Sequence, residues 1–160
     1  MAIQVGDSIP SVTLKHLTDN GMQDIATDDV FKGRKVVLFS LPGAFTPTCS
    51  AKHLPGFVQH ADAIRAKGVD QIVCLAVNDP FVMRAWGEKN SADDKVLMLP
   101  DGNATLTGAM GLTMDGSAFG LGTRGQRFVL VAEDGKVTHL AIEKPGQFEV
   151  SAAEAVLAVL

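Results

Sequence analysis

The stretch PGAFTPTCS, residues 42–50, sets Cys49 just after the apolar run KVVLFS and just before a segment patterned as a helix. A packing cysteine would sit more naturally inside the apolar run. An ordinary thiol has a pKa near about 8.5, so only a few per cent is thiolate at neutral pH. A helix start supplies unpaired backbone N–H groups and the positive end of the helix dipole, and both favour the thiolate. Thr46 adds a hydroxyl three residues before the sulfur, able to donate and to accept. Pro42 and Pro47 stiffen the turn and remove two competing donors. The pattern reads as an anion cradle with a nucleophile in it, and a cation would complete it. Arg124 and Arg127, in GTRGQRF, stand directly before a later strand that a mixed sheet could bring close to the Cys49 turn.

Other residues carry less. Cys74 lies inside the apolar run QIVCLAVN, where packing explains it. His53 reads as a surface residue near a helix start, with no partner evident for a cysteine–histidine pair. Phe81 and Trp86 read as the apolar side of their helix. GLGTRG lacks the GxGxxG spacing and follows no first strand, and SAKHLPG lacks a Walker lysine. No CxxC or HExxH occurs, and the four histidines are scattered, so neither a dithiol pair nor a zinc set is expected.

The elements that must position these residues follow from periodicity. KVVLFSL and VDQIVCLAVND read as buried strands, and KVLMLPDG as a third. DSIPSVTLKHL alternates loosely as an edge strand, Gly21 and Asp24 mark a loop, and DDVFKGR is a brief helical turn ended by Gly33. SAKHLPGFVQHADAIRAKG is an amphipathic helix ending at Gly68, bent or reset in its first turns by Pro55. PFVMRAWGEKN is a helix ending near Asn90, and ATLTGAMGL is a short one. QRFVLVAEDGKVTHLAIE holds two runs around Asp134-Gly135, a hairpin signal. SAAEAVLAVL begins with Ser151 and has Glu154 three residues on, the pattern of a capping box. Early crossovers and a late hairpin predict a mixed sheet in a three-layer α/β/α arrangement. Such sheets carry their chemistry beyond the carboxyl ends of the strands, where Cys49 falls.

The chain of 160 residues fits one domain, residues 1–160, with a sizeable core. Its 46% apolar and 20% charged residues give a globular balance, and a net charge of −4 without a basic block does not favour nucleic acid. No apolar stretch is long enough for a membrane helix. The N-terminus lacks a basic region followed by an apolar core, so the expected location is cytoplasmic, with both cysteines reduced.

PGAFTPTCSAKHLPGF resembles the active-site segment of the peroxiredoxins, specifically the type II, Prx5-like subfamily. GVDQIVCLAVNDPFVMRAWG and GLGTRGQRFVLVAEDGKV resemble later segments of that subfamily, and the likeness runs from VGDSIP to the last helix. The resemblance implies a thioredoxin-like fold with an N-terminal extension. It implies reduction of hydrogen peroxide and alkyl hydroperoxides without metal, haem, flavin or other cofactor. The family's peroxidatic cysteine falls on Cys49, its threonine on Thr46, its ring proline on Pro42 and its catalytic arginine on Arg127. Arg124 matches a second arginine common in the subfamily. A homodimer is also implied.

One departure matters. Animal-type members carry a resolving cysteine near the C-terminus, where this chain has Val150 in GQFEVSAAE. That internal disulfide route is absent, and Cys74 sits mid-strand. The plant and bacterial branch, which the chain resembles more, implies an external reductant: glutathione with glutaredoxin, or thioredoxin. Two other classes remain open on the sequence: a non-catalytic thioredoxin-like domain, and a thiol–disulfide oxidoreductase, against which the missing CxxC argues.

Overall fold

The structure, a computed structural model, describes residues 1–160 except for the side chain of Cys49, so the leading sequence candidate lies outside the described residues. Nine strands and six α-helices are described: β1 (Thr13–Thr18), β2 (Gly21–Ala26), α1 (Thr27–Phe31), β3 (Lys35–Ser40), α2 (Leu54–Gln59), α3 (Ala61–Arg65), β4 (Gln71–Ala76), α4 (Pro80–Lys89), β5 (Leu97–Pro100), α5 (Thr105–Ala109), β6 (Thr113–Asp115), β7 (Thr123–Gly125), β8 (Phe128–Glu133), β9 (Lys136–Ile142) and α6 (Ala153–Leu157). A π-helical turn, Cys49–His53, leads into α2.

The central sheet has the order β5-β4-β3-β8-β9. β3 runs parallel to β4, and β4 to β5, whereas β8 is antiparallel to both β3 and β9. The mixed sheet expected from the late hairpin is therefore present. Side chains alternate across a pleated strand, so a strand buried on both faces must be apolar throughout. In β3, Val37 and Phe39 face a core shared with α2, α3, α4 and α6 through Phe57, Ile64, Trp86 and Val156. Val36 and Leu38 face the opposite core, with Phe31 of α1 and Leu106 of α5. This is the α/β/α layering read from the sequence. Asp134 and Gly135 form the β8–β9 turn with φ of 51° and 77°, the left-handed pair that a two-residue hairpin of this kind requires.

Three expectations are corrected. Gly21 and Asp24 lie in β2 rather than a loop. The six-residue register of β1 on β2 closes through a tight turn in which Thr18 Oγ1 donates to the Gly21 carbonyl. The long helix expected up to Gly68 is three pieces, the π-helical turn, α2 and α3. Pro55 sits in the first turn of α2, where it brings no N–H to the turn before it, and His60, outside helical geometry, separates α2 from α3. The capping box does not form. Ser151 instead donates its hydroxyl to Glu143 at 2.7 Å, Glu154 pairs with His60, and the N-cap is Ala152, without a side-chain cap bond. The short antiparallel pair β6–β7 was not legible in the residues before Gln126.

Candidate active site

β3 ends at Ser40, and the chain turns through Pro42–Thr46 before the helical segment begins. Thr46 is fastened at once: its Oγ1 donates to the Gly43 carbonyl at 2.7 Å, and its own carbonyl accepts from Ser50 N at 2.9 Å. Ala44 N donates to Asn78 Oδ1 at 2.9 Å, tying the turn to the end of β4. Phe45 has φ of 63°, a left-handed conformation that is strained for a bulky residue. Its half-exposed ring faces Trp86 at 6.4 Å, with Lys89 Nζ 5.9 Å from its centroid. Trp86, fully buried, donates Nε1–H to Ser50 Oγ at 3.0 Å and so anchors the residue after Cys49.

The two arginines go to different places. Arg124 braces the turn, donating from Nη1 to the Pro42 carbonyl at 3.0 Å and from Nε to the Leu121 carbonyl at 3.1 Å. A Cβ on Gly43 would lie 2.2 Å from Arg124 Nη1, so this approach requires glycine. Arg124 also lines a cleft of about 680 Å³ beside Asn78, Pro100 and Asn103, a cleft that neither Thr46 nor Arg127 lines. Arg127 instead reaches the π-helical turn that Cys49 opens. Its Nη1 donates to His53 Nδ1 at 2.7 Å, and its Cζ lies 5.7 Å from the centre of the Phe148 ring.

His53 is not a surface residue; it is fully buried, against Phe39, Phe57 and Phe148. Because Nδ1 accepts from a guanidinium, the ring proton sits on Nε2, which donates to the Ser151 carbonyl at 3.0 Å. Burial first, then the Arg127 charge, pushes the His53 pKa down to about 3. The ring is a neutral acceptor at physiological pH. Behind it, burial alone would raise the Glu143 pKa. The Ser151 hydroxyl and the N–H groups of Ser151, Glu149 and Val150 outweigh that and hold it below the usual carboxylate range. His53 was legible only in part: it stands four residues after Cys49, close to one helical turn, but nothing in the sequence announced its partners. Glu143 and Phe148 carried no signal.

The structure therefore brings Arg124 to the Pro42 carbonyl of the turn and Arg127 to His53 of the π-helical turn. Cys74 is fully buried in β4, facing the core of Phe57 and Trp86. Among the described residues, no group of three or more His, Cys, Asp or Glu could hold a metal ion, and no helix is long and apolar enough to cross a membrane.

A strand–turn–helix cysteine site on a mixed α/β/α sheet defines a thioredoxin-like redox protein, and the family profile described as Redoxin matches residues 4–157. The chain belongs to this family and, within it, to the type II, Prx5-like peroxiredoxins. It is 49% identical to "Peroxiredoxin-2E-2, chloroplastic" of Oryza sativa subsp. japonica, over 99% of this chain and 72% of that protein. It is 44% identical to "Peroxiredoxin-2B" of Arabidopsis thaliana, over 99% of this chain and 98% of that protein. Among solved structures it resembles reduced Prx3 of Vibrio vulnificus in complex with H2O2, with a TM-score of 0.94 and 50% identity over 98% of both chains.

Proposed function

We propose that the chain is a thiol-dependent peroxidase in which Cys49 reduces hydrogen peroxide and alkyl hydroperoxides. The observation that carries the reading is the fastening of Arg127 to the turn that Cys49 opens, 2.7 Å from His53 on that turn. In this reading the Cys49 thiolate attacks the terminal oxygen of ROOH. An S–O bond forms, the O–O bond breaks, and the leaving RO⁻ takes a proton to give water or an alcohol. Cys49 is left as a sulfenic acid. Arg127 favours the thiolate and, with Thr46 and the backbone N–H of Cys49, stabilises charge growing on the leaving oxygen. Thr46 enters with its hydroxyl proton already given to the Gly43 carbonyl, so its oxygen is left as an acceptor for the peroxide proton. Pro42 shapes the turn, and Arg124 holds that turn through the Pro42 carbonyl.

The reductant is an external thiol, either glutathione with glutaredoxin or thioredoxin. One thiol condenses with the sulfenic acid, forming a mixed disulfide and releasing water, and a second thiol attacks that disulfide to restore the Cys49 thiolate. Two features support this. Position 150 is valine, and Cys74 is buried mid-strand. A reducing compartment, the cytoplasm, suits this cycle. The working form is a homodimer; Phe45, Phe81 and Phe119, exposed at 49%, 62% and 82%, are apolar side chains open to contact with a second copy. Stopped-flow mixing with hydrogen peroxide, read by the emission of Trp86, tests the proposal. Wild type should react in a second-order phase that Cys49→Ser lacks. A phase of equal rate in both proteins would overturn it.

A further inference from the structure

We propose that residues 143–151 form a clasp that positions Arg127, with Glu143 as its latch; the inference rests on the reading of Arg127 given above. The latch begins beside its target, since Glu143 N donates to the Arg127 carbonyl at 2.9 Å. From there the chain makes an exposed turn through Lys144–Gln147 and returns. On its return the Glu143 side chain captures it: Oε2 accepts from Glu149 N at 2.7 Å, Ser151 N at 2.9 Å and Ser151 Oγ at 2.7 Å.

What the captured segment delivers converges on one guanidinium. Phe148 lies 5.7 Å from the Arg127 Cζ and 4.9 Å from the His53 ring. The Ser151 carbonyl accepts from His53 Nε2, and this fixes the ring proton on Nε2. Nδ1 is thereby left as a lone-pair acceptor aimed at Arg127 Nη1. If the ring proton moved to Nδ1, two N–H donors would face each other and Arg127 Nη1 would lose this acceptor. Glu143 thus acts on Arg127 at second hand, through Ser151 and His53, and is a positioning residue. Burying a carboxylate is a costly way to fasten a loop, and an apolar fastening would cost less. The carboxylate does what an apolar group could not: it gathers the N–H groups of Glu149 and Ser151 and the Ser151 hydroxyl, and so sets the direction of one carbonyl.

The test is a double-mutant cycle on the full chain, reading the bimolecular rate of Cys49 consumption by hydrogen peroxide. Glu143→Ala and Phe148→Leu are each made alone and in an Arg127→Lys background, with Glu143→Gln as a milder latch variant should Glu143→Ala not fold. Each clasp substitution should slow wild type by about tenfold or more, but slow Arg127→Lys by less than about twofold. Nitrogen-15 chemical shifts of His53 should show a single Nε2–H tautomer in wild type and a mixture in the latch variants. Equal losses in both backgrounds would mean the segment only supports the fold, and would overturn the clasp. A slow Arg127→Lys beside folded clasp variants of wild-type rate and tautomer would overturn the clasp alone. An Arg127→Lys protein of wild-type rate would overturn the role of Arg127, and the clasp with it.

Discussion

His53→Phe tests the buried neutral histidine by thermodynamics alone, without reference to catalysis. Phenylalanine fills the same space among Phe39, Phe57 and Phe148 but leaves the Ser151 carbonyl and Arg127 Nη1 without their histidine partner. A buried carbonyl stripped of its partner costs about 1–3 kcal/mol, so at neutral pH the variant should be less stable by about that much. The pH dependence is more discriminating. The folded pKa, about 3, lies below the value of 6.5 for an exposed ring. As pH falls through the unfolded value, the unfolded chain therefore takes up a proton that the native chain refuses, and stability drops. Between about pH 7 and pH 5 this costs wild type about 2 kcal/mol, and the phenylalanine variant, with no proton to bind, is spared it. Groups that both proteins share cancel in the difference. Urea unfolding followed by far-ultraviolet circular dichroism at the two pH values should show the gap narrowing by about 2 kcal/mol on acidification. A gap that stays constant would mean that His53 protonates equally in the folded and unfolded chains, and the assignment of a neutral acceptor would be wrong.

Gly43→Ala places a methyl 2.2 Å from Arg124 Nη1, so the guanidinium must leave the Pro42 carbonyl. Urea unfolding should show a loss of about 1–3 kcal/mol. Thr46→Val removes the hydroxyl that donates to Gly43, and the peroxide rate should fall by about tenfold or more, while Thr46→Ser keeps most of it. Stopped-flow kinetics separates the two. Trp86→Phe breaks the bond to Ser50 Oγ and should cost about 1 kcal/mol or more in equilibrium unfolding.

The sheet was legible because its strands are buried on both faces: Val36–Phe39 and Ile72–Leu75 had to be apolar runs, and Asp134-Gly135 had to be a turn. β2 was hidden because GMQDIA alternates poorly, and its pairing is decided by β1 rather than by its own residues. The break at His60 and the π-helical turn lie within an uninterrupted helical pattern, where only Pro55 gave warning. In the site, residues close together in sequence were readable: Pro42, Thr46 and Cys49 fall on one turn. Arg127 could be named from the resemblance, but its surroundings could not. His53, Phe148, Ser151 and Glu143 meet only through tertiary packing, and Ser151 resembled a helix cap because a serine followed by Glu154 carries that signal whether or not the hydroxyl is used elsewhere.

The central claim is that Cys49 takes one oxygen from peroxide and waits for a thiol from outside the chain. Intact-mass spectrometry after one equivalent of hydrogen peroxide, with no added thiol, tests it most directly. Wild type and Cys74→Ser should each gain about 16 Da, the mass of one oxygen, and Cys49→Ser should gain none. Added glutathione should convert the oxidised protein to a mixed disulfide. An unchanged wild-type mass would contradict the peroxidase, and a loss of two hydrogens abolished by Cys74→Ser would make Cys74 the resolving thiol.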